Sequence, residues 1–250
     1  MPDAVLLLGA SDVYPKLGST LQSCWRDVES MYAWYDSHYP MTGVEYRAFK
    51  DMRYTKANFF DAAHTLCGLP GIKRCAIDVS CHGTTIPKNG ANHAAIVFAD
   101  STWDDEEGTF GFDDDFAELF NEYPNINFYM TADACESANL VFRILPISHN
   151  NKFIAPPSDL QSQITHNANN GAVQRGIAPL LPNVAYVSGT GGPGFYSVDE
   201  GDGGAFHKAW TRIVDPSWNP VRIAAELDSV LDKSQQPTPH GGRINNPWFT

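Results

Sequence analysis

Cys75-Ala76-Ile77-Asp78-Val79-Ser80-Cys81-His82-Gly83 is the stretch on which the fold turns. Its first six residues read as a strand, and that strand delivers a histidine and a glycine at its carboxyl end. Ala4-Val5-Leu6-Leu7-Leu8, closed by Gly9, is the continuous apolar run that a parallel strand buried on both faces requires. Ile126 to Thr131 is a similar run leading into Asp133-Ala134-Cys135, and Val184 to Val187 is a later one ending at Ser188-Gly189. Val44 to Phe49 and Ala94 to Ala99 are further strand candidates. Helical spacings lie between them. Leu21, Cys24, Val28, Met31 and Trp34 follow a cap at Ser19 or Thr20, and Thr55 to Leu66 is amphipathic. A short helix runs through Phe120, and others cover Ala205 to Val214 and Pro220 to Leu231. Strands alternating with helices predict an α/β fold with a mostly parallel central sheet and helices on both faces.

The composition narrows the function. Lys plus Arg number 17 against 29 Asp plus Glu, a net charge of −12, and 43% of residues are hydrophobic. The chain is thus expected to form a real core, and without a basic cluster it is unsuited to nucleic acid or anionic membranes. Its longest apolar run is far too short to span a bilayer, and Met1-Pro2-Asp3 does not open a signal peptide. Five cysteines, at 24, 67, 75, 81 and 135, are an odd number with no CxxC pair, which predicts a reducing, cytoplasmic setting. Cys75, Cys81 and His82 fit no common zinc spacing. Residues 146–182 are rich in Asn, Pro, Ser, Gln and Gly and predict a long, partly mobile surface segment. The tail, with Pro237, Pro239 and Pro247, is expected to be irregular. No repeat or sharp linker divides the chain, so 1–250 reads as one domain.

In an open α/β sheet, chemistry collects at the carboxyl ends of the strands. Two strands here end in reactive residues, His82 and Cys135. A thiol becomes a useful nucleophile beside a base, and neighbouring strand ends can bring the two together. Gly83 allows a backbone N–H to approach a substrate closely, as an oxyanion donor must. Singly, a cysteine is more often a buried small hydrophobe and a histidine a structural residue.

The joint pattern resembles the caspase-like cysteine peptidases, the metacaspase branch in particular. Ser80-Cys81-His82-Gly83-Thr84 is similar to that family's Ser-Gly-His-Gly-Thr strand end, and Asp133-Ala134-Cys135-Glu136-Ser137 to its Asp-x-Cys-His-Ser turn. Cys24-Trp25-Arg26-Asp27-Val28 resembles its Gly-Cys-x-Asn-Asp-Ala segment, and Val187-Ser188-Gly189 its small-subunit strand. Gly203-Gly204-Ala205-Phe206 resembles its Gly-Gly-Ala-Phe-Thr helix start, and Gln235-Gln236-Pro237 its Gln-x-Pro segment. The six matches run in family order along nearly the whole chain.

The resemblance implies a three-layer caspase-like sandwich with a large-subunit-like region (1–145), an intersubunit segment (146–182) and a small-subunit-like region (183–250). It implies Cys135 as nucleophile and His82 as general base, with the Gly83 and Cys135 N–H groups holding the oxyanion. Asp27 and Asp133, with Cys24 and Ser80, would line the primary specificity pocket. Carboxylates there select Arg or Lys, whereas an Asp-cleaving enzyme needs arginines. The substrates would be peptides or proteins cleaved after Arg or Lys, and the enzyme a monomer. With a strand already at Ala4, no prodomain is expected, which leaves control to calcium, a partner or self-cleavage. Asp113 and Asp114 resemble the family's calcium-binding acidic pair, with a further ligand to come from near Asp100 or Asp104. The alternative is that Asp113 or Asp114 caps a helix. Arg175, among small residues, is the expected self-cleavage site.

The sequence also departs from the pattern. Cys81 stands where the family has Gly, Glu136-Ser137-Ala138 where it has His-Ser-Gly, and Phe142 where a further Asp ligand is usual. Gly189-Thr190-Gly191-Gly192 replaces the usual continuation Ala-Cys-Gln. These departures keep open a second reading, a caspase-fold module that has lost efficient catalysis and works by binding.

Overall fold

The computed structural model describes residues 3–39, 44–135, 152, 154–169, 181–190, 197–233 and 235–250. The chain opens with β1 (Ala4–Ala10), buried at every residue. Val5 and Leu7 face one apolar cluster and Leu6 and Leu8 the other, the period-two alternation of a strand covered on both sides. A small ribbon of β2 (Val13–Tyr14) and β3 (Ser19–Thr20) follows. Next come α1 (Cys24–His38), β4 (Glu45–Lys50), a single 3₁₀ turn at Asp51–Arg53, and α2 (Lys56–Cys67). After β5 (Arg74–Ser80), a side sheet is built from β6 (Gly83–Lys88), β7 (Ala91–Val97) and, beyond the one-turn α3 (Glu106–Thr109), β8 (Phe110–Phe112). The chain continues with α4 (Asp113–Glu122), β9 (Asn127–Asp133), α5 (Ser158–Asn169), β10 (Val184–Ser188), α6 (Ala205–Ile213), α7 (Pro220–Asp228) and β11 (Thr238–His240).

The central sheet has the order β11-β10-β9-β5-β1-β4, parallel throughout except for β11. From β1 the chain steps to β4 on one side, then returns across β1 to β5 and continues outward through β9 and β10. The order therefore reverses at β1 and β5, and the crevice at their carboxyl ends is where such sheets bind ligands. α2 and α4 pack on one face through Phe59, Ala63, Leu66, Phe116, Leu119 and Phe120. The other face is covered by α1, α6 and α7, through residues such as Val28, Met31, Phe206, Trp210 and Leu227. On α1 the buried positions Cys24, Val28, Met31 and Tyr35 recur at helical spacing, and Asp27 lies on the same buried side. This is the α/β sandwich expected from the sequence. Each buried Leu or Val of β1 contributes about 1.5–3 kcal/mol by leaving water.

Three local expectations are corrected and one is located. Ser19 and Thr20 form β3 rather than cap a helix; α1 begins at Cys24, whose N–H is taken by Asp12 Oδ1 at 2.8 Å. The strand candidate Ala94 to Ala99 falls mostly in β7, which lies in the side sheet and is paired with β6 through a turn at Asn89-Gly90, where both residues take positive φ. Within 146–182 the chain forms α5, and Lys152 is fully buried. The tail adds β11 to the sheet and buries Trp248 and Phe249 against Tyr35 and Tyr129, because aromatic burial outweighs the irregularity its prolines suggest.

Candidate active site

The two strand ends singled out in the sequence are neighbours. Ser80 of β5 is paired with Asp133 of β9, so the next residues, Cys81-His82-Gly83 and Ala134-Cys135, leave the sheet side by side. Gly83 packs directly on the backbone of Cys135; a Cβ there would overlap the Cys135 carbonyl oxygen. Cys135 is buried, and its thiol donates to the Ser197 carbonyl at 3.6 Å. His82 is held from three sides. Its N–H donates to Tyr14 Oη at 3.0 Å, its Nε2 shares a 2.9 Å hydrogen bond with Ser19 Oγ, and its ring packs on Tyr14 at 4.7 Å. Nδ1 has no hydrogen-bond partner among the described residues. Burial pushes the imidazole down to about 4, so the ring is neutral at pH 7.

Cys24, Asp27, Ser80 and Asp133, expected to line one pocket, are all fully buried and do meet. Asp27 comes from the first turn of α1, beside the end of β1, and Ser80 and Asp133 from the ends of β5 and β9. At their centre sits the ammonium of the chain's own Lys152. Its Nζ donates to Ser80 Oγ at 2.7 Å, Asp133 Oδ2 at 2.9 Å and Asp27 Oδ2 at 3.1 Å. Three donors meet three oxygens, which satisfies the group fully. Burial alone would lower the lysine's pKa; the Asp133 and Asp27 charges outweigh it and hold the group well above its ordinary value. Burial would likewise raise Asp27, but Lys152 and then His207 keep it below the usual carboxylate range. Cys24, with no anion-stabilising partner strong enough to offset burial, has its thiol pushed well up.

The backbone at Lys152 is engaged as well. Its carbonyl accepts from Gly83 N–H at 2.7 Å, and its N–H donates to the Ser197 carbonyl at 3.1 Å. Two residues on, Ile154 N–H donates to the Gly83 carbonyl at 3.1 Å and Thr84 Oγ1 to the Ile154 carbonyl at 2.7 Å. Lys152 and Ile154 therefore both bond to the Gly83–Thr84 backbone and side chain, with the Lys152 side chain in the acidic pocket.

Sequence reasoning missed four contributors. Asp133 Oδ1 is taken by the hydroxyl of Ser197. His207 lies under the pocket, with Nδ1 at 3.1 Å from Asp133 Oδ2 and Nε2 at 2.8 Å from Asp78 Oδ1. Lys152 was one basic residue among several in its segment. Two signals were readable: Asp78 is an acid inside an otherwise apolar strand, and His207 stands where the resembled helix start has Thr. Arg175, Glu136, Phe142, Gly191 and Gly192 lie outside the described residues.

No protein-family model and no curated protein matches the sequence. Its three-dimensional structure does have relatives. It is similar to protein GSU0716 from Geobacter sulfurreducens, with a TM-score of 0.69 and 16% identity over 100% of this chain and 99% of that one. It is also similar to the Drosophila initiator caspase Dronc, with a TM-score of 0.59 and 10% identity over 98% of this chain and 82% of the caspase. The fold is caspase-like. Within this caspase-like fold, no helix among the described residues is long and apolar enough to cross a membrane.

The second acidic group lies elsewhere in the caspase-like domain. Asp113 is buried at the start of α4, and its Oδ1 is shared between His93 Nδ1 at 2.8 Å and the Asp114 N–H at 3.1 Å. Asp115 closes the helix start by accepting from Phe112 N–H and pairs with Lys56 at 2.8 Å. His93, Asp113 and Asp114 gather within 4.8 Å, but calcium takes six to eight oxygens, whereas this set is two carboxylates and an imidazole. Asp100 is occupied at the start of α2, where it accepts weakly from Lys56 N–H. The group of His93, Asp113 and Asp114 does not fit calcium.

Proposed function

We propose that the chain is a cysteine endopeptidase that cleaves after a basic residue, as the motif resemblance to the metacaspase branch implies. The observation that carries this reading is Lys152: its ammonium fills the acidic pocket while its carbonyl accepts from the N–H of Gly83, the glycine packed on Cys135. That is the disposition a peptide substrate needs on its acyl side.

In this mechanism Asp27, Asp133 and Ser80 hold the basic side chain, and Cys24 closes the pocket wall. The Gly83 N–H, joined by that of Cys135, stabilises negative charge on the carbonyl oxygen. The Cys135 thiol loses its proton to His82, whose buried, neutral ring is in the accepting state at pH 7. The sulfur attacks the carbonyl, the amine leaves with a proton from the imidazole, and water then hydrolyses the thioester to release the acid. The same geometry makes the bond after Lys152, rather than one after Arg175, the first candidate for self-cleavage.

Fluorogenic peptides ending in Lys, Arg or Asp, assayed with wild type and Cys135→Ala, test the proposal. Hydrolysis after a basic residue that is lost in the variant is the expected result. Equal turnover by Cys135→Ala would overturn it. The complete burial of Lys152 also favours the second reading, a binding module whose pocket is filled by its own chain. A folded protein that neither hydrolyses any peptide nor cuts itself would establish that one.

A further inference from the structure

The pocket offers its charges in an unusual way. Each carboxylate turns only one oxygen toward the bound cation. Asp27 Oδ1 is spent on the Gly204 N–H at 2.6 Å, and Asp133 Oδ1 on the Ser197 hydroxyl. The remaining oxygens are crowded from below by the imidazole of His207, 3.1 Å from Asp133 Oδ2 and 3.6 Å from Asp27 Oδ2. His207 is itself fixed: its other nitrogen is 2.8 Å from Asp78 Oδ1, which also accepts from Thr131 Oγ1. With a carboxylate at each nitrogen, the ring is an imidazolium that donates both ways, in line with the charges of Asp78 and Asp27 overcoming the effect of burial. Behind the ammonium stands the backbone of Gly204, where an added Cβ would overlap Asp133 Oδ2 and lie 2.8 Å from Lys152 Nζ.

A lysine ammonium suits this cage, because its three tetrahedral donors need three separate oxygens. A guanidinium is planar, longer, and binds carboxylates best in a two-oxygen fork. Neither carboxylate has two oxygens free, and the space a second nitrogen needs is held by His207 and Gly204. We propose that His207, fixed by Asp78, is a specificity-determining residue that makes this pocket select lysine over arginine. The inference rests on the basic-residue reading above and narrows it.

A thermal cycle tests the fit without requiring catalysis. In the Cys135→Ala background, which prevents cutting, Lys152→Arg is expected to lower the Tm by about 4 °C or more. Adding His207→Thr, which opens the floor, should recover at least half of that loss relative to His207→Thr with Lys152 retained. His207→Gln, which keeps the volume, should recover little. A Lys152→Arg variant as stable as the parent, or an equal loss in all three backgrounds, would overturn the inference. In wild type, kcat/KM for Lys peptides should exceed that for matched Arg peptides by about tenfold, and His207→Thr should bring the two within about twofold. Equal wild-type values would also overturn it. If no peptide is cleaved while the thermal cycle behaves as stated, the peptidase reading fails and the lysine selectivity of the pocket stands.

Discussion

The carbonyl oxygen of Lys152 accepts a 2.7 Å hydrogen bond from the Gly83 N–H, the glycine whose backbone is packed on Cys135. On the proposed mechanism the bond to be cut is the one joining Lys152 to Phe153. Intact-mass analysis of wild type is expected to show a fragment that begins at Phe153, absent from Cys135→Ala and from Lys152→Ala. A fragment beginning at Gly176 would instead assign the cut to Arg175.

Gly83 tolerates no side chain. Its ideal Cβ overlaps the Cys135 carbonyl oxygen, so Gly83→Ala must push the start of β6 away from Cys135. Displacement of a donor and nucleophile by a fraction of an ångström is expected to cost at least about 100-fold in kcat. The Tm should fall as well, since the atom in the way is backbone. Peptide hydrolysis and a melting curve on the purified variant check both parts.

Removing one charge from the cage leaves its partners stranded. Asp27→Asn would leave Lys152 and His207 with Asp133 and Asp78 alone, and breaking a buried pair typically costs about 3–5 kcal/mol. Urea unfolding should show a loss of this order. A change below about 1 kcal/mol would mean that Asp27 is not part of a buried network.

Acid should weaken the fold through two histidines. Burial pushes both His82 and His240 down to about 4, against about 6.5 in an unfolded chain. Between those values the unfolded state holds more protons, so these two rings cost no stability above about pH 6.5 and an increasing amount as pH drops toward 4, up to about 3 kcal/mol each. Asp27, held below the usual carboxylate range, gives up its contribution only at lower pH still. His240 packs on Tyr186, and its Nε2 has no partner among the described residues. His240→Gln is therefore expected to flatten about half of the pH 6.5–4 slope, read from unfolding curves at several pH values, and to leave peptide hydrolysis at pH 7 unchanged.

Much of this was legible in the sequence, for identifiable reasons. A strand buried on both faces, such as Ala4–Ala10, needs no partner to announce itself, and β5 and β9 carried their reactive residues directly behind apolar runs. The four pocket residues were readable as a group only through their joint resemblance to a family pattern; taken singly, Asp27 is an ordinary helix acid. Lys152 was not legible because nothing local distinguishes a lysine that will fold back over more than a hundred residues to Asp27 from one left in solvent. His207 and Asp78 escaped for the same reason: their pairing spans 129 residues, and each looks local until the sheet closes. The tail misled because its prolines spoke of irregularity, while Trp248 and Phe249, two residues in a short segment, decided its position.

The seated lysine also has a kinetic meaning. On the proposed reading Lys152 is a competitor that cannot diffuse away: tethered on the same chain, it faces its pocket at an effective concentration that is millimolar or more for a short link. For the proposed peptidase, a substrate arriving from outside must outcompete that local supply, so the uncut molecule works against its own occupancy at every encounter. On that reading, once the bond after Lys152 is broken the inhibitor becomes an ordinary chain end carrying a new carboxylate. A single cut would then convert a unimolecular block into a weak product equilibrium, and protein concentration would set the timing of activation only where one molecule cuts another.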